Sequence, residues 1–280
     1  MNTLQKTAIA AAISGLFAPA VFAQAAPAAA PEPSPVTANV TVVSDYRFRG
    51  ISQSNFKPAI QGGFDYAHES GFYIGNWNSS ISWISDAYSQ SGSSTVKGDV
   101  TAPIEMNFYG GFKKEFIAPG FASDIGVYQY AYPTSGLPGV NPNTTELYAA
   151  QNFTAGPVTG FLKFSYAVTN TFGNANRTGS NYTDLTANYD TGIWGLALNA
   201  HVGYQYIAGT APGATMSNSS MYSYTDWKLG LTKDFGGGLS ASVAYIDTNA
   251  KTIGGIYQYA SPQAKNLGGS TGIVSLTKTF

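Results

Sequence analysis

The fold is indicated most clearly by the stretch LALNAHVGYQY, which covers residues 196–206. Its large apolar or aromatic side chains stand at alternate positions, at Leu196, Leu198, Val202, Tyr204 and Tyr206. Successive side chains of a β-strand point to opposite faces, so a period of two collects these side chains on one face of a strand. The stretch therefore predicts a strand with one apolar face and one polar face.

The same alternation recurs along the chain and predicts twelve strands. They lie near residues 38–49, 58–68, 72–83, 103–116, 123–133, 144–154, 158–169, 181–190, 195–207, 221–234, 239–248 and 271–280. The other clear apolar faces are Ile104/Met106/Phe108/Phe112 and Leu162/Phe164/Tyr166/Val168. In segment 123–133 two sets compete for the apolar face, Ile125 with Val127 and Tyr128 with Tyr130 and Tyr132, and the pattern leaves both open.

The composition excludes several classes of protein. The chain has 280 residues, of which 14 are basic and 15 acidic, and only 10% are charged, against about 25% in soluble domains. Aromatic residues make up 14%, too many for a disordered chain, and the net charge of −1 gives no basic surface for nucleic acid. Cysteine is absent, so disulfides and thiolate metal sites are excluded. We predict no cofactor and no metal site.

The connections between the predicted strands alternate in length. Short turns at 68–71, 117–122, 155–157, 190–194 and 234–238 are separated by longer polar links at 50–57, 84–102, 134–143, 170–180, 208–220 and 249–270. Bacterial outer-membrane barrels have short periplasmic turns and long extracellular loops. The sequence therefore predicts an all-β, transmembrane antiparallel barrel of about twelve strands with both termini periplasmic. A soluble β-sandwich is the weaker alternative, because the second face of the strands is too polar for a dry core.

The first 37 residues are predicted to lie outside the barrel. Residues 1–23 combine Lys6, an apolar stretch and small residues before Ala23, which is the layout of a secretory signal peptide. Residues 24–37 are rich in Ala and Pro and are expected to form a flexible periplasmic tail. The barrel is then expected to cover residues 38–280, and the protein to be exported to the bacterial outer membrane.

The final strand carries a second signal. Phe280 ends the chain, and Val274, Leu276 and Lys278 precede it at alternate positions. A last strand that ends in Phe resembles the signature by which the barrel-assembly machinery recognises outer-membrane proteins, so this machinery and outer-membrane lipid are the expected partners. Lys278 departs from the apolar pattern, and we expect its amine to reach out of the lipid.

Alternation also predicts which charged side chains point into the barrel. Antiparallel pairing of the first two predicted strands places Asp65 or Gln61 beside Arg47, depending on the register. The sum of seven acidic and five basic side chains does not decide an ion preference, and bracing of the interior is an equally good interpretation. The predicted pore-lining residues are Asp45, Arg47, Arg49, Asp65, Glu105, Lys113, Glu115, Glu146, Lys163, Asp184, Asp226 and Lys228.

Two stretches carry a resemblance to a known family. They read VSDYRFRGISQ (residues 43–53) and KPAIQGGFDYAHESGFYIG (residues 57–75). This sequence resembles the TorF-type porin family of proteobacteria, catalogued as conserved hypothetical exported proteins, most strongly over residues 39–83. The resemblance implies an outer-membrane channel for passive diffusion of small polar solutes. It offers as candidate positions Asp45, Tyr46, Arg47, Arg49, Gly50, Pro58 and Gly63.

Two other functions are weighed against a porin. One is a structural or adhesive outer-membrane barrel with an occluded lumen. The other is an outer-membrane lipase-type enzyme, but only two histidines are present, His68 in a predicted turn and His201 on a predicted inward face. An interfacial lipase needs an outward His–Ser pair, whereas His201 faces inward by alternation, so no catalytic residue is predicted. The solute and the oligomeric state are left open.

Overall fold

The computed structural model describes residues 34–89, 100–137 and 139–280, and in them twelve long strands form one closed barrel. Each strand begins where the alternation of apolar and polar residues begins and ends at a turn or loop. The barrel strands are β1 Val36–Val43, β2 Ala59–Ala67, β3 Phe72–Ser80, β4 Ile104–Ala118, β5 Phe121–Ala131, β6 Thr144–Ala155, β7 Val158–Ala167, β8 Asn181–Asp190, β9 Leu196–Tyr206, β10 Tyr224–Gly236, β11 Leu239–Thr248 and β12 Thr271–Thr279.

Consecutive strands pair antiparallel around the barrel, and β12 closes it against β1. In the closing pair Asn39 lies opposite Thr279 and Val43 lies opposite Ser275, so the start of β1 and the end of β12 lie at the end of the barrel that carries the short turns. The long loops all lie at the other end. The prediction of a closed antiparallel barrel of about twelve strands is confirmed. Closure leaves no strand edge unpaired, which is what a sheet needs in a lipid environment.

Exposure follows the predicted alternation. On β9, Leu198, Val202 and Tyr204 are exposed outward, while Ala197 and Gln205 are buried toward the lumen. On β5 the two competing sets are now resolved, with Ile125 and Val127 outward and Tyr130 inward. The tyrosines turn inward because their hydroxyls find acceptors there: Tyr130 donates to Glu146 (3.3 Å), and Tyr132, just beyond β5, donates to Glu105 (3.2 Å). A lipid-facing position would offer no such acceptor.

The ends of the elements differ from the prediction in three places. Strand β1 begins at Val36, inside the stretch predicted as tail, and ends at Val43 rather than at 49. Two short helices, α1 Trp83–Ser89 and α2 Asn218–Tyr222, stand in long loops where no helix was predicted. Among the described residues, no helix has the length and hydrophobicity to cross a membrane. The predicted signal peptide and residues 24–33 of the predicted tail lie outside the described residues.

Lys278 behaves as the sequence suggests. It lies on the outward face of β12, in register with Leu239, and its amine donates to the carbonyl oxygen of Gly237 in the adjacent short turn. A long aliphatic stem along an apolar surface with the charge at the edge is the usual solution for lysine at a lipid boundary.

Four inward tyrosines lie flat on glycines of a neighbouring strand. Tyr109 covers Gly75 on β3, Tyr73 covers Gly111 on β4, Tyr148 covers Gly126 on β5, and Tyr182 covers Gly203 on β9. In the first three pairs the two residues are direct cross-strand partners. A glycine has no Cβ, so the ring can lie against the backbone instead of projecting into the lumen. These pairs shape the interior of the barrel.

We expect replacement of Gly75 by Ala to destabilise the barrel. A Cβ at this position would collide with the ring of Tyr109 and with the carboxylate of Asp65, and overpacking of this kind costs about 1–3 kcal/mol. The measurement is urea unfolding followed by the heat-modifiable gel shift. Gly272 on β12 is the matched control, because a Cβ there meets nothing within 4 Å. Equal unfolding midpoints for the two alanine variants would contradict the role of the tyrosine–glycine pairs.

Candidate functional site

The loop between β1 and β2, residues 44–58, folds into the lumen and is called here the inward loop. Arg47–Phe48 pairs with Ile51–Ser52, and the tip Arg49-Gly50 has φ angles of 47° and 79°. A two-residue hairpin turn of this kind needs positive φ at both positions. The prediction that residues 44–49 continue the first strand is therefore wrong, because turn chemistry at Gly50 overrides the alternation.

Asp45 ties the base of the inward loop together. Its carboxylate accepts hydrogen bonds from Ser52 (2.6 Å) and Ser54 (3.2 Å) and from Arg47 Nε (2.5 Å). The Ser54 hydroxyl also accepts a hydrogen bond from the backbone N–H of Tyr46 (3.0 Å). Local side-chain hydrogen bonds of this type compete with strand pairing, which explains why the chain leaves β1 here. Asp45 is therefore a structural residue of the loop.

Arg47 anchors the inward loop to the loop before β12. Its Nη1 donates to the carbonyl oxygens of Gly50 (2.9 Å), Leu267 (2.8 Å) and Gly269 (3.1 Å), and the guanidinium lies 5.0 Å from the ring centre of Phe56. The residue is 1% exposed. Its charge is compensated by Asp45 and does not face the lumen water. The predicted contact of Arg47 with Asp65 or Gln61 is absent among the described contacts.

Arg49, at the tip, reaches the far wall of the barrel. Its guanidinium forms an ion pair with Glu146 on β6 (2.7 Å) and donates to Gln205 on β9 (2.7 Å), and it stacks 4.4 Å from the ring centre of Tyr182 on β8. Burial is the largest single effect and opposes the charge of Arg49, but the charge and hydrogen bond of Glu146, together with Tyr130 and Tyr182, outweigh burial and raise the pKa of Arg49. Because the loop starts at β1 and β2, these contacts carry it across the lumen.

Aromatic packing holds the remaining side of the inward loop. Phe48 packs edge-on against Tyr130 (5.5 Å between ring centres) and Phe172 (5.6 Å), and Tyr46 packs against Trp77 (5.5 Å). The Tyr46 hydroxyl donates to Glu105 (3.1 Å), and burial, then the charge of Glu105, raise the pKa of Tyr46. Tyr46 thus remains a protonated donor. The loop is fixed by contacts to both walls rather than free in the lumen.

The tip of the loop rests on a polar cluster around His201. The two ring nitrogens of His201 lie 2.9 Å from Asp184 and 2.8 Å from Asp226, and the Tyr182 hydroxyl donates to Asp226 (2.9 Å). A Cβ at Gly50 would collide with Asp226. The sequence placed His201, Asp184 and Asp226 on the inward face, but it gave no sign that they meet, since they lie on three different strands.

The structure divides the other predicted pore-lining residues into two groups. Glu105 is buried and bonded to Tyr46, Tyr132 and Asn107, whereas Asp65, Lys163 and Lys228 keep part of their surface open on the inward face. Glu115 is exposed near the short turn after β4, where it accepts from the backbone N–H of Gly120 (2.8 Å), so its predicted place in the lumen is corrected. Strand β4 continues beyond Glu115 to Ala118, so Glu115 lies close to the end of the strand.

One inward charged residue was missed. Asp124 on β5 is buried and accepts a hydrogen bond from the Tyr73 hydroxyl (2.6 Å). The apolar face of segment 123–133 could not be assigned from the pattern, and this left Asp124 unassigned too. Placing Ile125 and Val127 outward would have placed Asp124 inward. Asp124 is the direct cross-strand partner of Lys113, which is also buried.

A closed barrel with a polar interior and a fixed inward loop is the architecture of a bacterial outer-membrane channel. Residues 26–280 match a family described as bacterial protein of unknown function (Gcw_chp), and the chain belongs to this family. A search of curated protein sequences finds no match.

Solved structures of the same fold are outer-membrane channels. The COG4313 outer membrane channel from Pseudomonas putida F1 superimposes with a TM-score of 0.51 at 12% identity, over 92% of this chain and 100% of that one. The KdgM porin superimposes with a TM-score of 0.50 at 7% identity, over 87% of this chain and 99% of that one. At these identities the likeness establishes the fold.

Proposed function

We propose that the protein is an outer-membrane porin of the TorF type that lets small polar solutes diffuse passively through a narrowed lumen. The observation that carries this proposal is the inward loop, held across a polar barrel interior by the contacts of Arg49 with Glu146 and Gln205. A barrel that served only as a membrane anchor would have no use for such a constriction. Twelve strands lie between eight-stranded barrels filled by side chains and the 16–18-stranded porins with a wide aqueous channel.

The same features support the proposed location. The outward faces carry apolar side chains, and Phe280 ends the final strand on the outward side. We propose export through the N-terminal signal peptide, insertion by the barrel-assembly machinery and residence in outer-membrane lipid, with small polar solutes as the transported partners.

We propose no enzymatic activity. Both ring nitrogens of His201 are engaged by carboxylates, so neither is left to accept a proton from a nucleophile.

A barrel with an occluded lumen is the second candidate function. The observation in its favour is the extent of the loop contacts, since the inward loop touches side chains of seven strands: β3, β4, β5, β6, β8, β9 and β10.

Conductance decides between the two candidates. Purified protein reconstituted in a planar bilayer is expected to give discrete, small current steps in KCl, and liposomes that contain it are expected to swell in small neutral sugars but not in larger ones. A narrowed lumen passes only the small solutes, which gives the size cut-off. A barrel that shows heat-modifiable gel migration but neither current steps nor swelling would establish the occluded barrel instead.

A further inference from the structure

The lumen offers the partly open amine of Lys163 to a solute, while six of its seven carboxylates are buried. We propose that the solutes favoured by the channel carry a carboxylate or another small anionic group, that Lys163 contacts this group, and that the buried Lys113 adds its positive charge to the same wall. This inference rests on the proposed function and names the substrate class of the same lumen. The charge sum does not give this answer, because replacing Glu115 by Asp124 in the lumen set leaves seven acidic residues against five basic ones.

The carboxylates are occupied by protein donors. Six of the seven inward acidic residues are buried, and each described one has donors of its own: Arg47 and two serines on Asp45, Arg49 and Tyr130 on Glu146, Tyr73 on Asp124. Glu105 accepts hydrogen bonds from Tyr46, Tyr132 and Asn107. Asp184 is bonded by Thr186 and His201, and Asp226 by Tyr182 and His201. Burial and these donors leave the six carboxylates little exposed to a passing cation. Asp65 alone is partly open, and Tyr109 donates to it (2.6 Å).

The two lysines are placed differently. Lys163 is the cross-strand partner of Asp184, and Lys113 is the partner of Asp124. In both pairs the aspartate is drawn to another donor, so within the described part of the chain no carboxylate oxygen lies within 4.0 Å of either amine. The Lys163 amine instead lies 4.1 Å from the ring centre of Tyr148 and 5.8 Å from that of Tyr128. A cation over an aromatic face keeps its N–H donors for another acceptor.

The two lysines also belong to one cross-strand row of the barrel wall, below the tip of the inward loop. Glu146, which holds the tip of the inward loop, is followed at the next inward position of β6 by Tyr148, which carries the Lys163 amine. Asp124 is partnered in register with Ala150, one inward position further toward the short turns, and Lys113 lies beside it on β4. A solute that passes the tip therefore reaches the row of inward residues that contains both lysines. Charge-assisted hydrogen bonds from such amines stabilise an anion in the channel, as rings of basic side chains do in anion pores.

The test uses three solutes of similar size and different charge in liposome swelling: gluconate, glucose and glucosamine. Wild-type protein is expected to admit gluconate severalfold faster than glucosamine, with glucose between them, and its reversal potential in a KCl gradient is expected to show an anion preference. In the K113Q/K163Q variant we expect the gluconate rate to fall severalfold and the reversal potential to move toward zero, while the glucose rate is unchanged.

The matched control is K233Q/K278Q, which removes the same charge from the outside of the barrel, where both amines bond to turn carbonyls. It is expected to keep the wild-type preference. Equal rates for the three solutes in wild-type protein overturn the inference and leave the porin intact. A wild-type barrel that passes none of them overturns both proposals. The three wild-type rates test the charge preference without any variant, so the test still holds if the double variant does not fold. Loss of heat-modifiable migration would identify such a folding failure.

Discussion

A barrel whose inward loop is replaced by a short Gly-Ser turn is expected to conduct severalfold more current than the wild-type barrel. The loop brings Tyr46, Phe48 and Arg49 against the barrel walls, and Arg47 fixes it to the loop before β12. Conductance through a water-filled pore is limited by its narrowest cross-section. Removing these side chains widens that section, and the liposome-swelling limit is expected to move to larger sugars.

The register of the barrel makes this variant practicable. Val43 and Ala59, which flank the loop, are direct cross-strand partners, so a turn of a few residues can join β1 to β2 without moving either strand. The barrel ladder does not depend on the loop, because β1 pairs with β2 and β12 along its length. The variant is therefore expected to keep heat-modifiable migration.

A second deletion serves as its control. The loop before β12 contains a small hairpin in which Thr252 pairs with Tyr257 and Ile253 with Ile256. Removing Ile253 and Ile256 shortens this exposed hairpin while leaving the Gly254-Gly255 turn in place. Current and solute limit are expected to stay at wild-type values. If the inward-loop variant also conducts like wild type, the loop is not the constriction.

Most of the barrel could be predicted because lipid imposes a strict period on a sheet. A polar side chain on the outward face of a strand costs free energy because lipid offers it no hydrogen-bond partner. The alternation therefore predicted the strands 181–190 and 239–248 with the bounds that the structure has. The alternation of short and long connections then gave the orientation. Neither argument needs information about contacts between distant residues.

The inward loop could not be predicted by the same means. Val42, Tyr46 and Phe48 continue the apolar alternation of β1, yet the chain turns at Ser44 because Ser52 and Ser54 donate hydrogen bonds to Asp45. The acceptors of Arg47 lie more than two hundred residues away, at Leu267 and Gly269. A local pattern contains no trace of such partners. The alternation assigned Asp45, Arg47 and Arg49 to a strand, whereas they belong to the inward loop.

Arg47 is expected to be the residue on which the inward loop depends most. In an Arg47→Ala variant the carboxylate of Asp45 loses its ion pair, and the carbonyl oxygens of Leu267 and Gly269 lose their donor. Removing one partner of a buried ion pair costs about 3–5 kcal/mol. The strands carry none of this cost, so we expect the barrel to remain folded while the loop detaches from the loop before β12.

Trypsin provides the measurement, because Arg49 remains in the variant as a cleavage site. Wild-type protein is expected to resist cleavage there, since the Arg49 side chain is 7% exposed and bonded to Glu146. The Arg47→Ala variant is expected to be cut after Arg49 and to give larger and noisier current steps. Lys57→Ala removes a basic residue from the exposed end of the same loop and is expected to behave as wild type.

Arg47→Lys separates charge from geometry. A lysine keeps the positive charge beside Asp45, but it lacks the planar fork that lets Arg47 reach Asp45 through Nε and three carbonyl oxygens through Nη1. We therefore expect its cleavage rate to lie between those of wild type and Arg47→Ala, nearer the latter. Protection equal to wild type in the lysine variant would show that the charge of Arg47 suffices, and protection equal to wild type in the alanine variant would show that the aromatic contacts of Phe48 hold the loop without it.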